Sequence, residues 1–179
     1  EAMAPVAVLR VDASVADRVE FQPRDGDGIF AVCNRRLHVW DWRRQQERPW
    51  CKSLDEVVDA DWSPDGRQLA VAYAGGSVQV LEPTSGERLN DFRPGGNKQV
   101  LRWSPDGKRL AIAGERLELW NVSDQAEREA AWTPTAKIYG VRFSRAGDRL
   151  VAATDDNKAQ VFDILDRTQN LPLFTPVDH

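Results

Sequence analysis

Four short apolar runs recur along this chain: IFAVC (29–33), LAVAY (69–73), LAIAG (110–114) and LVAAT (150–154). Each is followed by a segment that alternates apolar and polar residues: LHVWDW, SVQVLE, RLELWN and KAQVFD. A period of two is the signature of a half-buried strand, and a continuous apolar run bounded by turn residues suits a strand buried on both faces. An aromatic precedes each run, at Phe21, Trp62, Trp103 and Phe143, in steps of 41, 41 and 40. The residue two before each aromatic is Val19, Ala60, Leu101 or Val141, always apolar. Another aromatic series, Trp50, Phe92, Trp132 and Phe174, follows in steps of 42, 40 and 42, and 41 positions before Trp50 lies Leu9, within PVAVLRV.

Turns separate these elements at fixed places. QPRDGDG, SPDG, SPDG and SRAG follow the four leading aromatics. Proline presets φ and Asp-Gly tolerates φ > 0, which is hairpin chemistry. Gly66 and Gly107 are therefore expected at positive φ. Ser123–Ala131 (SDQAEREAA) is too short for a stable helix and reads as a polar turn leading into a strand. Four antiparallel strands per repeat of this length, without helical periodicity, predict an all-β chain of propeller blades. The expected organisation is a leading outer strand over 1–14, from a preceding or closing blade. Four consecutive four-stranded antiparallel blades follow over 15–54, 55–95, 96–134 and 135–179.

The W/F-S-P-D-G turn, the small apolar second strand and third strands ending in Trp40-Asp41, Trp120-Asn121 or Phe162-Asp163 resemble the WD-repeat family across essentially the whole chain. TolB-like propellers share the WSPDG turn and are the nearest competing resemblance; the third-strand ends favour WD repeats. What the family implies is a ring of blades, most often seven, serving as a rigid interaction platform. Two family features are altered here. The Gly-His pair expected before each first strand is missing. The Asp expected before the third strand survives as Asp156, with Asn34 a candidate substitute in the first unit. Four blades cover little more than half of such a ring, so the chain is expected to form part of a larger one. An open end would expose a flat apolar face and unpaired edges. The missing blades would come from another chain, from deleted sequence, or from a second copy closing eight blades. In the last case the Val6–Val11 strand of one copy would replace the proline-interrupted Leu171–Pro176 strand of the other. A compact four-bladed ring is the least favoured, since Cys33 and Cys51 fall in one unit and cannot staple the ends.

Composition narrows the function. The chain has 179 residues, 41% hydrophobic and 29% charged, with a formal net charge of −4. An acidic balance runs against nucleic-acid binding, which depends on basic excess. No apolar run approaches the ~18 residues of a membrane helix, and Glu1–Arg10 lacks the pattern of a signal peptide. Two cysteines are too few for a secreted disulfide framework or a structural zinc site. A cytoplasmic setting is expected, with no membrane contact.

Candidate chemistry is sparse. The two histidines, His38 and His179, complete no Ser-His-Asp set, metal motif or phosphate loop. Asp25, Asp27 and Gly28 lack the later ligands of a calcium loop, and Asp155-Asp156 fits a solvated turn. Cys33 and Cys51 suit packing, because no basic setting activates them. Glu20, Asp61, Arg102 and Arg142 occupy one place on successive innermost strands. Pairing between neighbouring blades, such as Asp61 with Arg102, explains them better than a charged channel lining. Arg35-Arg36 and Arg43-Arg44 fall in turns on opposite faces and form two small solvated patches. Six tryptophans sit where the repeat requires core; Trp42 stands outside that pattern as a modest contact candidate.

The expected function is a non-catalytic protein- or peptide-binding scaffold with no metal or cofactor. The alternative is the propeller portion of a multidomain enzyme, such as a hydrolase, kinase or nucleotide-binding switch, that gates or positions substrate for a catalytic domain elsewhere. Loops between fourth and first strands and between second and third share a face. The contact candidates there are Asp17, Arg18, Asn34, Arg35, Arg36, Val58, Asp59, Gln99 and Tyr139.

Overall fold

The computed structural model describes residues 5, 7–11, 16–24, 26–96, 100–133 and 136–165. Within them the chain is all-β, folded as four antiparallel sheets whose strands lie in chain order. The first holds β1 (Ala16–Phe21), β2 (Gly28–Cys33), β3 (Arg36–Asp41) and β4 (Gln46–Glu47). The second holds β5 (Val57–Trp62), β6 (Leu69–Tyr73), β7 (Val78–Leu81) and β8 (Arg88–Phe92). β9 (Val100–Trp103), β10 (Arg109–Ala113), β11 (Leu117–Asn121) and β12 (Glu127–Trp132) form the third. The fourth has three strands among the described residues, β13 (Ile138–Phe143), β14 (Arg149–Thr154) and β15 (Ala159–Asp163). The strand expected over Leu171–Pro176 lies outside the described residues.

Hydrophobic clusters explain the stacking of the sheets as propeller blades. Phe30, Val32, Trp62, Leu69 and Val71 bury the first sheet against the second. Ala70, Ala72, Trp103, Leu110 and Ile112 join the second to the third, and Ala111, Ala113, Leu150 and Ala152 join the third to the fourth. Alternate residues of β6 thus face opposite neighbours, and so do those of β10. This is why those strands are apolar at successive positions instead of alternating. β14 differs: its burial alternates strictly between exposed and buried along Arg149–Thr154. Among the described residues, the same kind of apolar strand here has a neighbouring sheet on one side only.

Two expected strands take other forms. Trp50 lies in a 3₁₀ turn over Pro49–Ser53 that follows the two-residue β4. Pro49 has no N–H to give a ladder and its fixed φ opens a helical turn, so the strand ends before it. Trp50 still packs on the cluster between the first two sheets. Residues 7–11 pair with no strand among the described residues. Leu9 and Val11 lie instead on Ala31, Cys33 and Trp40, on the free face of the first sheet. A ladder needs the partner strand of a preceding blade, and the described chain supplies none there.

Gly66 and Gly107 have φ of +72° and +69°, as the repeated turn requires. Their surroundings differ. A Cβ on Gly66 would sit 2.8 Å from the Pro23 carbonyl oxygen, whereas one on Gly107 would meet nothing closer than the Pro64 Cδ at 3.6 Å. Gly107→Ala should therefore cost about 1–2 kcal/mol, the strain of the left-handed backbone alone. Gly66→Ala should cost more, because backbone must also move. Urea unfolding midpoints check this: equal midpoints for the two variants would remove the steric difference.

Candidate interaction surface

The innermost strands carry a charged network that crosses three sheets. Arg18 on β1 reaches β5, where its guanidinium donates to Asp59 at 2.9 Å and to Asp61 at 2.5 Å, and it also meets Glu20 at 2.7 Å. The second oxygen of Asp59 accepts from the Leu101 N–H and from Arg102, both at 2.9 Å. The second oxygen of Asp61 accepts the Trp103 N–H at 2.7 Å. Trp62 and Trp103 donate their indole N–H to the carbonyls of Glu20 and Asp61, at 3.5 and 3.0 Å. Blade-to-blade pairing is thus the role of these charges, but the partners differ from the expected Asp61–Arg102 pair. Arg18 sits between both carboxylates of β5, so Arg102 takes the remaining oxygen of Asp59. Arg142 stands apart, exposed, with its guanidinium 3.0 Å from the Val141 carbonyl.

Burial governs the ionisation of this network. It pushes the Asp61 carboxyl up to about 7, against the pull of Arg18, and raises Asp59 as well. Neither carboxylate is free, since removing one partner from a buried cluster leaves uncompensated charge.

Backbone hydrogen bonds build a rim at one end of the blades. The Val57 N–H donates to the Arg35 carbonyl and the Ala74 N–H to Glu56, while Ile138 donates to Gly114 and Asp155 to Lys137. Hairpins between second and third strands are thereby tied to the loops entering first strands. Asn34 and Arg35 hold this hairpin with φ of 49° and 62°, and Glu56 and Asn157 are also at positive φ. The SPDG turns lie at the opposite end, where Gln22 donates to the Gly66 carbonyl at 2.6 Å.

Comparison with known families fits this geometry. Residues 27–100 match the family model described as the anaphase-promoting complex subunit 4 WD40 domain. Residues 131–163 match the WD domain, G-beta repeat. The chain is a WD-repeat β-propeller. No curated protein matches it closely enough to stand as a relative. In this WD-repeat chain the aspartate retained before the third strand of the fourth blade accepts from the Thr154 hydroxyl at 2.5 Å, and Lys158 pairs with it at 2.9 Å. Serines of the SPDG turns do similar local work: Ser63 and Ser104 donate to Asp65 and Asp106 at 2.6 and 2.5 Å.

The propeller distributes the contact candidates unevenly. Asn34, Arg35 and Arg36 are exposed together on the rim, where Arg35 pairs with Glu56 and Arg36 with Asp55. Asp17 is exposed at the start of the first blade. Tyr139 is 63% exposed on the fourth, with the Lys137 ammonium 5.4 Å from its ring centre. Arg18 and Asp59 are brought together, but inside the ion network. Val58 packs on the cluster between the second and third blades. Gln99 and Asp25 lie outside the described residues. On the other face Arg43 pairs with Asp27 and Arg44 with Asp41, so both arginine patches have acidic partners. Trp42 is half-buried, edge-on to Phe21 at 6.3 Å and under the Arg43 guanidinium at 5.0 Å.

Two features escaped the sequence reading. Glu118 is 1% exposed and accepts from the Gly95 N–H at 3.1 Å and the Trp120 indole at 2.8 Å. Its place among alternating residues of β11 suggested a solvated position. His38 meets Glu47 at 2.6 Å beside Cys51, in a cavity of about 230 Å³. Burial pushes the Cys51 thiol up, which leaves it a packing group rather than a nucleophile.

The network makes stability depend on pH. An unfolded aspartate titrates near ~3.9, whereas folded Asp61 does so at about 7. Between those values the folded chain keeps a proton that the unfolded chain releases, so stability falls as pH rises through the window. Asp61→Asn cannot titrate. The stability advantage of the parent over this variant should shrink by on the order of 1 kcal/mol per pH unit between about pH 4 and 7. Urea titrations across that range provide the measurement, and a gap that stays constant or widens would show Asp61 ionised throughout.

Proposed function

We propose that this propeller is a non-catalytic scaffold that binds a protein or peptide on the rim formed by the hairpins between second and third strands and the loops entering first strands. The observation that carries this reading is the rim itself, a hydrogen-bonded platform with paired charges and one exposed aromatic. Asp17, Asn34, Arg35, Arg36 and Tyr139 are the contact residues, with Lys137 beside the tyrosine. Arg18, Asp59 and Val58 support them from beneath. Each rim arginine already has an acidic partner, which favours a peptide of mixed charge over a polyanion. Tyr139 is the candidate anchor, because a tyrosine gives large apolar area with a polar tip. One of the two matching family models describes a subunit of an assembly, in keeping with a docking role.

Affinity capture on the immobilised chain tests the reading. A retained protein should be lost with Tyr139→Ala by at least about tenfold in affinity, the loss of a hot-spot contact. Arg36→Glu should weaken retention too, while circular dichroism stays that of the parent. Failure to retain any protein, or equal retention by the folded variants, would overturn it.

A further inference from the structure

The repeat is broken at the outer edge of the first blade. In the second and third blades the fourth strand covers its neighbour fully: β8 pairs with every residue of β7, and β12 with every residue of β11. β4 reaches only Trp40 and Asp41 of β3, because the chain leaves the ladder at Pro49 and enters the 3₁₀ turn. Leu37 and His38 on β3 are thus left without a fourth strand. Between them and the turn lies a cavity of about 230 Å³. Blades stack on sheet faces, so further blades would leave this edge opening free.

Its lining combines three kinds of contact. Leu37, Cys51 and Leu54 make an apolar floor. His38 forms a wall, with its ring stacked on Trp40 at 5.5 Å and its Nδ1 2.6 Å from Glu47. These two contacts fix the ring before any ligand arrives, which lowers the ordering cost of binding. With the carboxylate accepting from Nδ1, a neutral ring keeps Nε2 as a lone-pair acceptor. That nitrogen has no partner among the described residues. Arg36 and Lys52 stand exposed at the mouth. Arg36 gives its Nε to Asp55 at 2.6 Å, and Lys52 makes no ion pair among the described residues. Two cations at the mouth thus face the single carboxylate of Asp55, while Glu47 is held at the wall by His38.

We propose that this cavity is a specificity pocket for a peptide, taking an apolar side chain whose neighbouring residue is acidic, a role that rests on the docking function of the adjoining rim. The side chain lies on Leu37, Cys51 and Leu54. A peptide N–H donates to His38 Nε2, and the carboxylate next to the buried side chain meets Lys52 and the terminal nitrogens of Arg36. A peptide supplies all three groups within two residues. Arg36 belongs to the rim as well, so a segment lying across residues 34–36 runs directly into the opening. A basic residue in place of the acidic one meets two like charges, which gives the pocket its selectivity.

The test uses the full chain and the peptide N-acetyl-Gly-Leu-Asp-Gly-amide. Titration should move the amide NMR signals of Leu37, His38 and Leu54 to saturation. Replacing the peptide leucine by serine should weaken binding at least about tenfold, the loss of one buried apolar side chain. Replacing its aspartate by lysine should weaken binding as much. Lys52 is exposed, so Lys52→Glu leaves the fold intact; it should weaken the aspartate peptide and strengthen the lysine peptide. Absence of saturable shifts at these residues, equal affinity for the serine peptide, or a preference for aspartate that survives Lys52→Glu would each overturn the pocket. Affinity capture separates this from the rim. A protein retained through Tyr139 and Arg36, with no peptide shifts, overturns the pocket alone, whereas peptide shifts with no retained protein support the pocket and overturn the rim reading.

Discussion

Burial of a blade on both faces is the constraint on which the rest of this structure depends. β6 and β10 have no solvent side: alternate residues face the preceding and following sheets, and every one of Leu69–Ala72 and Leu110–Ala113 is buried. A four-stranded sheet of this kind cannot be stable alone, because either face left bare returns its apolar area to water. Packing a neighbour on each side removes that cost twice, and the repeat spacing follows from it. Every unit must present the same apolar positions in the same register or the stack loses contact.

The ion network is the polar counterpart of this packing. Innermost strands crowd together near the axis, where backbone groups of one blade meet those of the next. Asp59 and Asp61 satisfy N–H groups of Leu101 and Trp103 across the gap, and Arg18 balances their charge. Buried carboxylates on a strand would be costly by themselves. Here they replace ladder hydrogen bonds that cannot form between sheets, which is why they tolerate a raised pKa rather than turning to solvent.

At the rim the same arrangement leaves usable surface. Hairpin backbones are fixed by interblade hydrogen bonds, so side chains such as Arg36 and Tyr139 project from a rigid base. Rigid presentation lowers the ordering cost of binding, which suits the docking role proposed for this rim of charged pairs and one aromatic. The thiol of Cys51 is buried and packs between the first two blades.

The repeat of aromatic anchors, the SPDG turns and the two strand periods were legible in sequence because they are local: Pro-Asp-Gly sets a turn wherever it occurs, and alternation reports burial. That information determined the blade unit, the strand order and the positive φ of Gly66 and Gly107. It did not determine which charges pair. Arg18 stands 41 and 43 positions before Asp59 and Asp61, and only the stacking of β1 on β5 shows that it lies between both carboxylates. Nor could it show that Glu118 is buried, since a polar residue on an alternating strand reads as solvated until a neighbouring loop covers it. Tertiary structure likewise decided that Trp50 sits in a 3₁₀ turn and that Val19, Phe21 and Val151 lie bare. The sequence repeats the same apolar positions in all four units, but burial is a property of neighbours, and among the described residues the first and last blades each have one fewer.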